Sequence, residues 1–378
     1  MTGKNKIRRK LNNRKRILPI LCVIIVLLCV GSFTGCTRAE AVKVTGFYFD
    51  TVITVEFYES EKMTLDSSEV EEGIKEICNH YENLLSVTVE DSDVSKINLS
   101  GGKPIEVDPD TACVLKKAIE VAGLTGGVYD PSIAPLSGLW NISEVSKTAG
   151  DMSEEERQKL IPSQENIKNA CELIGYGNIG VDGTTVTLKK DGMQIDLGGI
   201  AKGYIADMLV EYLRSAGVEH ALINLGGNVA ALGGNRDGSS FWIGLQKPFG
   251  EGGEPLLKLK DTDKAIVTSG PYERYFKANN RIYHHILDIT TGEPVVNDLY
   301  AVTIVGEEGV MADALSTACY CLGYEKSLEL LDSLNGYDGI FIFDDYSYKT
   351  TNGFPKEYEL SEVDMRKRID ENDHRPNK

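Results

Sequence analysis

The stretch Ile195 to Asp207, IDLGGIAKGYIAD, changes its period partway along. Gln194 to Leu197 reads as the end of a strand, and Gly198-Gly199 as a tight turn suited to glycine. Beyond the turn, Ile200, Tyr204, Ile205, Met208 and Leu209 recur at helical spacing, so a helix opens there. A strand, a glycine turn and a helix N-terminus present free backbone N–H groups and a positive dipole end, which suit an anion such as phosphate. Asp196 stands on the lip of the turn and Lys202 one turn into the helix. Two readings are open at this point: a nucleotide site, or a strand-to-helix corner with a surface Asp and Lys.

The 378 residues suffice for one large domain or two ordinary ones. Eight basic residues between Lys4 and Arg16 precede the apolar run Ile17 to Val30, too short for a comfortable span and right for a signal-peptide core. The run ends in Ser32-Phe33-Thr34-Gly35-Cys36, similar to a bacterial lipoprotein cleavage box with Phe33 in place of Leu. Residues 1–35 are therefore expected to be a signal peptide. Cys36 becomes the lipidated first residue, 36–43 a tether and 361–378 a polar tail. The alternative is an uncleaved signal anchor. Both put the body at the cell membrane, on its extracytoplasmic face.

The full chain carries a formal net charge of −17. No acidic residue precedes Cys36, so the remainder has 32 basic against 57 acidic residues, a net of −25. Such a body excludes nucleic acid as a partner, which requires a basic footprint. Past Cys36 the cysteines are Cys78, Cys113, Cys171, Cys319 and Cys321, without zinc or CxxC spacing; all five read as buried thiols.

Alternation and composition predict a strand over Val44 to Tyr58, bent near Asp50-Thr51, and helices over Val70 to Leu85 and Pro109 to Gly123, the latter capped by Asp108. Strands are expected at Ile179 to Leu188 and Gly192 to Leu197 as a hairpin, then at His220 to Leu225, Phe241 to Gln246, Lys264 to Thr268, Tyr283 to Ile289, Tyr300 to Val305 and Ile340 to Phe343. Gly309 to Leu322 is a helix. No regular βαβ rhythm appears, so the fold class is α+β.

On that last helix Asp313, Ser316 and Thr317 share one face at i, i+3 and i+4. A carboxylate with hydroxyls is hard-oxygen ligation of the kind Mg2+ or Ca2+ takes; the plainer alternative is a dipole-facing Asp with two small packing residues. His284 and His285 alternate on a strand, so at most one faces a given site.

Seven segments occur in the order seen in one family: FDT (Phe49 to Thr51), GGVYDPSI (Gly126 to Ile133), IDLGGIAKGYIAD, NLGGN (Asn224 to Asn228), TSGPYERYF (Thr268 to Phe276), HHILDITTG (His284 to Gly292) and DALST (Asp313 to Thr317). In these the chain resembles the FAD:protein FMN transferases of the ApbE type over about Val44 to Phe343. The resemblance implies a single two-lobed α+β catalytic unit over 44–360, somewhat like the tunnelling fold, with FAD in a cleft. By position it implies metal ligation by Asp313, Thr317, Ser316 and the Gly199 carbonyl. It implies an FAD site lined by Phe49, Val128, Tyr129, Asp130, Asp196, Lys202 and Ile286, with His285 or Asp288 as the base. It further implies FAD as substrate, Mg2+ (or Ca2+) as cofactor, and an acceptor flavoprotein presenting a threonine. The products would be a phosphoester and AMP. Phe49 stands where the family often has Met, and Ile289 where it usually has Pro.

Overall fold

A computed structural model describes residues 41–250, 254–261, 263–356, 359 and the backbone of 361–362. The expected signal peptide, the lipid-bearing Cys36 and the polar tail past residue 362 lie outside the described residues.

Eight strands form one antiparallel sheet: β1 (Val42–Tyr48), β2 (Thr51–Phe57), β3 (Ala221–Leu225), β4 (Asn228–Leu232), β5 (Ala265–Ser269), β6 (Leu299–Gly306), β7 (Tyr337–Phe343) and β8 (Tyr348–Thr350). They lie side by side in chain order, and apart from the strand Ser361–Glu362 the remaining described elements are inserted between neighbours. Because side chains alternate across a strand, a sheet covered on both faces needs apolar residues at every position. In β6, Val302 and Ile304 join one core while Ala301 and Val305 join the other; in β7, Phe341 faces one way and Ile340 and Ile342 the other. Each such fully buried Val, Ile or Phe side chain contributes on the order of 1.5–3 kcal/mol.

One face is covered by α1 (Ser67–Leu85), α2 (Pro109–Leu124), α3 (Ala201–Ser215) and α4 (Gly309–Leu322). Asp66 starts α1 with a capping box: its Oδ1 accepts from Glu69 N at 2.9 Å and the Glu69 carboxylate accepts from Asp66 N at 2.8 Å. The other face meets a small sheet containing Phe241–Gln246 and Pro255–Asp261. A lesser lobe packs the helices Ala134–Trp140, Ile142–Thr148 and Gln164–Cys171 against the ribbon Tyr275–Ala278/Arg281–His284. Trp140 Nε1 donates to Gly292 O at 2.7 Å and ties it to the Thr290–Gly292 turn.

The bent strand expected over Val44 to Tyr58 is a hairpin starting at Val42, inside the expected tether. Its two-residue turn is Phe49-Asp50, with φ of 54° and 57°. Left-handed backbone at both positions is the geometry that matches hairpin twist, normally signalled by Asn-Gly, and Phe49 hides that signal.

Gly192 to Leu197 is not a strand. Ile195 and Leu197 are buried, which explains the alternation. The Ile195 backbone, however, pairs with a side chain: its N–H donates to Asn98 Oδ1 at 2.6 Å, and Asn98 Nδ2 donates to its carbonyl at 2.8 Å. The hairpin instead lies wholly within the preceding stretch, Ile179–Asp182 against Thr185–Leu188. Neither Gly198 nor Gly199 has positive φ, so the turn needs no left-handed residue. Of the five thiols, Cys78 and Cys319 are buried, Cys171 and Cys321 partly so, and Cys113 is exposed on α2, contrary to expectation.

Candidate active site

The cleft of about 830 Å³ is lined by both lobes and lies within the range of ligand sites. Its floor is the crossing of α3 and α4. A Cβ on Gly203 would overlap the Gly309 carbonyl oxygen and reach 2.8 Å from Asp313 Cβ, so only glycine allows this approach. At the crossing Gly203 N, an otherwise orphan donor of the first turn of α3, donates to Asp313 Oδ2 at 2.9 Å.

Asp313 is buried, and burial pushes its carboxyl up; the Lys202 ammonium and the Gly203 N–H pull the other way. Thr317 lies one turn further along the same face and also lines the cleft. Gly199 runs beside Thr317: a Cβ there would sit 3.3 Å from Tyr129 Cε2 and 3.8 Å from Thr317 Oγ1. Ser316, in contrast, is fully buried behind this face. Its Oγ donates to Asp313 O at 2.8 Å and lies 2.8 Å from Ser269 Oγ, so the structure gives it a structural task and no cleft surface.

Lys202 Nζ donates to Gly198 O at 3.1 Å, and its charge also acts on Glu273 and His285. Asp196 Oδ1 accepts from Gly198 N at 2.8 Å, which removes that N–H from any anion site, and its Oδ2 accepts from Ser137 Oγ at 3.2 Å. Val128 and Ile286 contribute apolar wall. Asp130 borders the cleft, but its carboxylate builds the loop: Oδ1 accepts from Ser132 N at 2.8 Å and Ser132 Oγ at 2.6 Å, and Oδ2 from Tyr176 N at 2.8 Å.

Two buried polar atoms on the cleft wall lack a completed hydrogen bond, Tyr129 Oη and Asn228 Nδ2, although Asn228 faces the Asp313 carboxylate. Burial, with Asp313, Asp196 and Asp130 nearby, keeps the Tyr129 phenol protonated as a donor. Unpaired buried polar groups call for a polar ligand. The Asp313 carboxylate, Thr317 hydroxyl and Gly199 carbonyl fit a hard divalent cation.

Of the two histidines, His284 points away from the cleft, its Nε2 on Val295 O at 3.0 Å and its Nδ1 accepting from Ile286 N at 3.3 Å. His285 lines the cleft. Its Nδ1 lies 3.3 Å from Arg274 O, and only a protonated Nδ1 can satisfy that carbonyl, so Nε2 is left as an acceptor. Burial, with His284, Arg274 and Lys202 adding, pushes His285 down to about 3. Asp288 is not in the cleft. It folds the Thr-Gly turn, Oδ1 accepting from Thr290 N at 2.8 Å and its carbonyl from Gly292 N at 2.7 Å. The structure thus commits Asp288 to that turn and does not bring it to the cleft lining, where a base was expected.

Sequence reasoning passed over Glu273 and Arg274, the only charged pair in TSGPYERYF. Glu273 is solvent-exposed in the open cleft yet enclosed by its walls. That enclosure raises its carboxyl against the pull of Lys202 and Arg274, and water in the cleft tempers the shift.

A cleft with a hard-oxygen donor set, an ammonium and a neutral imidazole carries the groups that an enzyme acting on a phosphate-bearing ligand uses. The model of the ApbE family matches residues 49–341. The chain is 32% identical over 348 residues to an FAD:protein FMN transferase of Treponema pallidum, covering 88% of this chain and 92% of that one. It is 35% identical over 270 residues to one from Klebsiella pneumoniae, covering 71% and 80%. A flavin transferase ApbE structure from Vibrio cholerae superposes with a TM-score of 0.72 at 27% identity, over 84% and 98% of the chains. An ApbE protein from Thermotoga maritima gives 0.73 at 31%, over 85% and 99%. This chain belongs to the ApbE family, and it is a transferase.

Proposed function

We propose that this protein takes FAD and moves its FMN half onto a threonine hydroxyl of an acceptor protein. The observation that carries the reading is Asp313, buried one helical turn from the cleft-lining Thr317, with the Gly199 backbone beside Thr317 and the buried Tyr129 phenol without a partner. A Mg2+ ion held there by Asp313, Thr317 and the Gly199 carbonyl would supply charge neutralisation at the pyrophosphate. Ser316 supports that set from behind.

Lys202 binds the anionic pyrophosphate as a point charge. Phe49, Val128 and Ile286 offer apolar surface to the rings of FAD, and the Tyr129 phenol donates into the cleft. His285, held by Arg274 O through Nδ1, takes the threonine proton at Nε2. Its depressed basicity belongs to the resting cleft, and an anionic pyrophosphate alongside raises it. The threonine oxygen bonds to the FMN phosphorus, the P–O bond to AMP breaks, and AMP leaves with the electron pair. Most of the rate comes from positioning and electrostatics. Anchored through a lipid on Cys36, the enzyme would meet acceptors outside the cytoplasmic membrane.

The test is to follow AMP by chromatography with FAD and MgCl2, with and without an acceptor flavoprotein. Acceptor-dependent AMP supports transfer. Equal AMP without acceptor makes the protein an FAD pyrophosphatase, and bound FAD without AMP makes it a flavin-binding protein.

A further inference from the structure

The helix carrying Asp313 and Thr317 has no cap of its own. The residue before it, Glu308, is extended and makes no side-chain hydrogen bond to the first turn of α4. The acceptors come from α3: Asp207 Oδ1 takes Gly309 N at 2.7 Å and Oδ2 takes Val310 N at 2.9 Å. Four residues earlier on α3, Gly203 N donates to Asp313 Oδ2 at 2.9 Å, four residues later on α4. Each helix thus caps the start of the other, through two rungs about 6 Å apart along the axes. One rung alone lets α4 pivot; two fix its axial position and rotation.

The choice of a carboxylate is informative. Asp207 is half-buried, and the charges acting on it, Glu308 and Asp313, are both negative. Against that repulsion its two oxygens match two helical N–H groups, where an amide would set an NH2 against one of them. The Gly203 rung engages Oδ2 of Asp313, a residue that also lines the cleft. Mg2+ demands near-ideal geometry at about 2.0–2.1 Å, so a small slide of α4 matters more to ligation than to packing.

We propose that Asp207 is a positioning residue that sets the register of α4, and so the ligand geometry of Asp313 and Thr317. This rests on the metal site of the proposed function. The test uses the full chain with ADP, which offers a pyrophosphate without a flavin to transfer, and Mn2+ followed by electron paramagnetic resonance. Thermal unfolding is read in parallel. Asp207→Asn is expected to weaken Mn2+ binding about tenfold or more, as loss of an outer support of a metal ligand does. Adding Glu308→Ser, which gives α4 a cap of its own, is expected to restore the unfolding temperature and not the Mn2+ affinity.

Wild-type Mn2+ affinity in Asp207→Asn overturns the proposal. So does recovery of both quantities together in the double variant, because capping alone would then explain the effect. If neither variant folds, Asp207 is a stability residue and the proposal fails. If the wild-type protein itself binds no Mn2+ with ADP, the metal site is wrong and the proposal falls with it.

Discussion

The backbone N–H of Phe49 donates to Glu82 Oε1 at 2.8 Å, pinning a left-handed hairpin residue to helix α1. A bulky residue at positive φ costs about 1–2 kcal/mol, and it persists where surrounding structure over-determines it. Phe49 and Asp50 form the tip of the hairpin and line the cleft, so the strain sits where flavin would bind. Glu82→Ala is expected to lower stability by about 1 kcal/mol and to weaken FAD binding several-fold. Glu82→Gln keeps an acceptor and should stay near wild type. Fluorescence titration of FAD with both variants checks this.

Asp313→Asn retains an oxygen for the Gly203 N–H and removes the charge. The fold should survive with an unfolding temperature within a few degrees of wild type. Transfer should fall at least about a hundredfold, because only the charged form holds a divalent cation well. Activity close to wild type would place the cation elsewhere.

Gly203→Ala tests the helix crossing. Its methyl group would overlap the Gly309 carbonyl, forcing α3 and α4 apart. Overpacking of this kind costs about 1–3 kcal/mol, and activity should fall further than stability explains, since both rungs of the clamp lengthen. Circular dichroism melts alongside turnover separate the two effects.

One contribution to the pH dependence of stability comes from His284, buried neutral with both ring nitrogens engaged and its pKa pushed down to about 4. His285, pushed down to about 3, acts in the same direction. Between pH 6.5 and about 4 the unfolded chain binds a proton at His284 that the folded chain does not. Stability is therefore full above pH 6.5 and lost as pH falls through that window, on the order of 3 kcal/mol from this residue. Asp207, raised to about 6 by burial, has the opposite sign and offsets part of the loss. Unfolding temperatures of wild type and His284→Gln from pH 7 to 4 should show a shallower acid slope in the variant.

Much of this was legible in the sequence because the helices and central strands follow their periods. The period of Val70 to Leu85 and the Asp108 cap read through to α1 and α2, and the Asp313–Thr317 face depended on helical spacing alone. What misled was alternation that recorded burial without strand pairing, as at Ile195 and Leu197, whose backbone is held by the Asn98 side chain. The strand Pro255–Asp261 was passed over although Leu257, Leu259 and Asp261 alternate, since the glycine-rich run before it read as loop. Ser316 and Asp288 share motifs with cleft residues, but a motif does not say which way each side chain turns. Ser316 turns back onto its own helix, and Asp288 folds a turn. Glu273 and Asn228 lay within quoted motifs, and only the meeting of distant segments shows that they face Asp313 and Lys202.

The most direct test of the central claim is the intact mass of an acceptor flavoprotein after incubation with this protein, FAD and MgCl2, followed by fragmentation to locate the adduct. The account expects a gain of one FMN on a threonine, matched by AMP, abolished by EDTA and absent with Asp313→Asn. An unmodified acceptor alongside released AMP, or modification that survives EDTA, would contradict it.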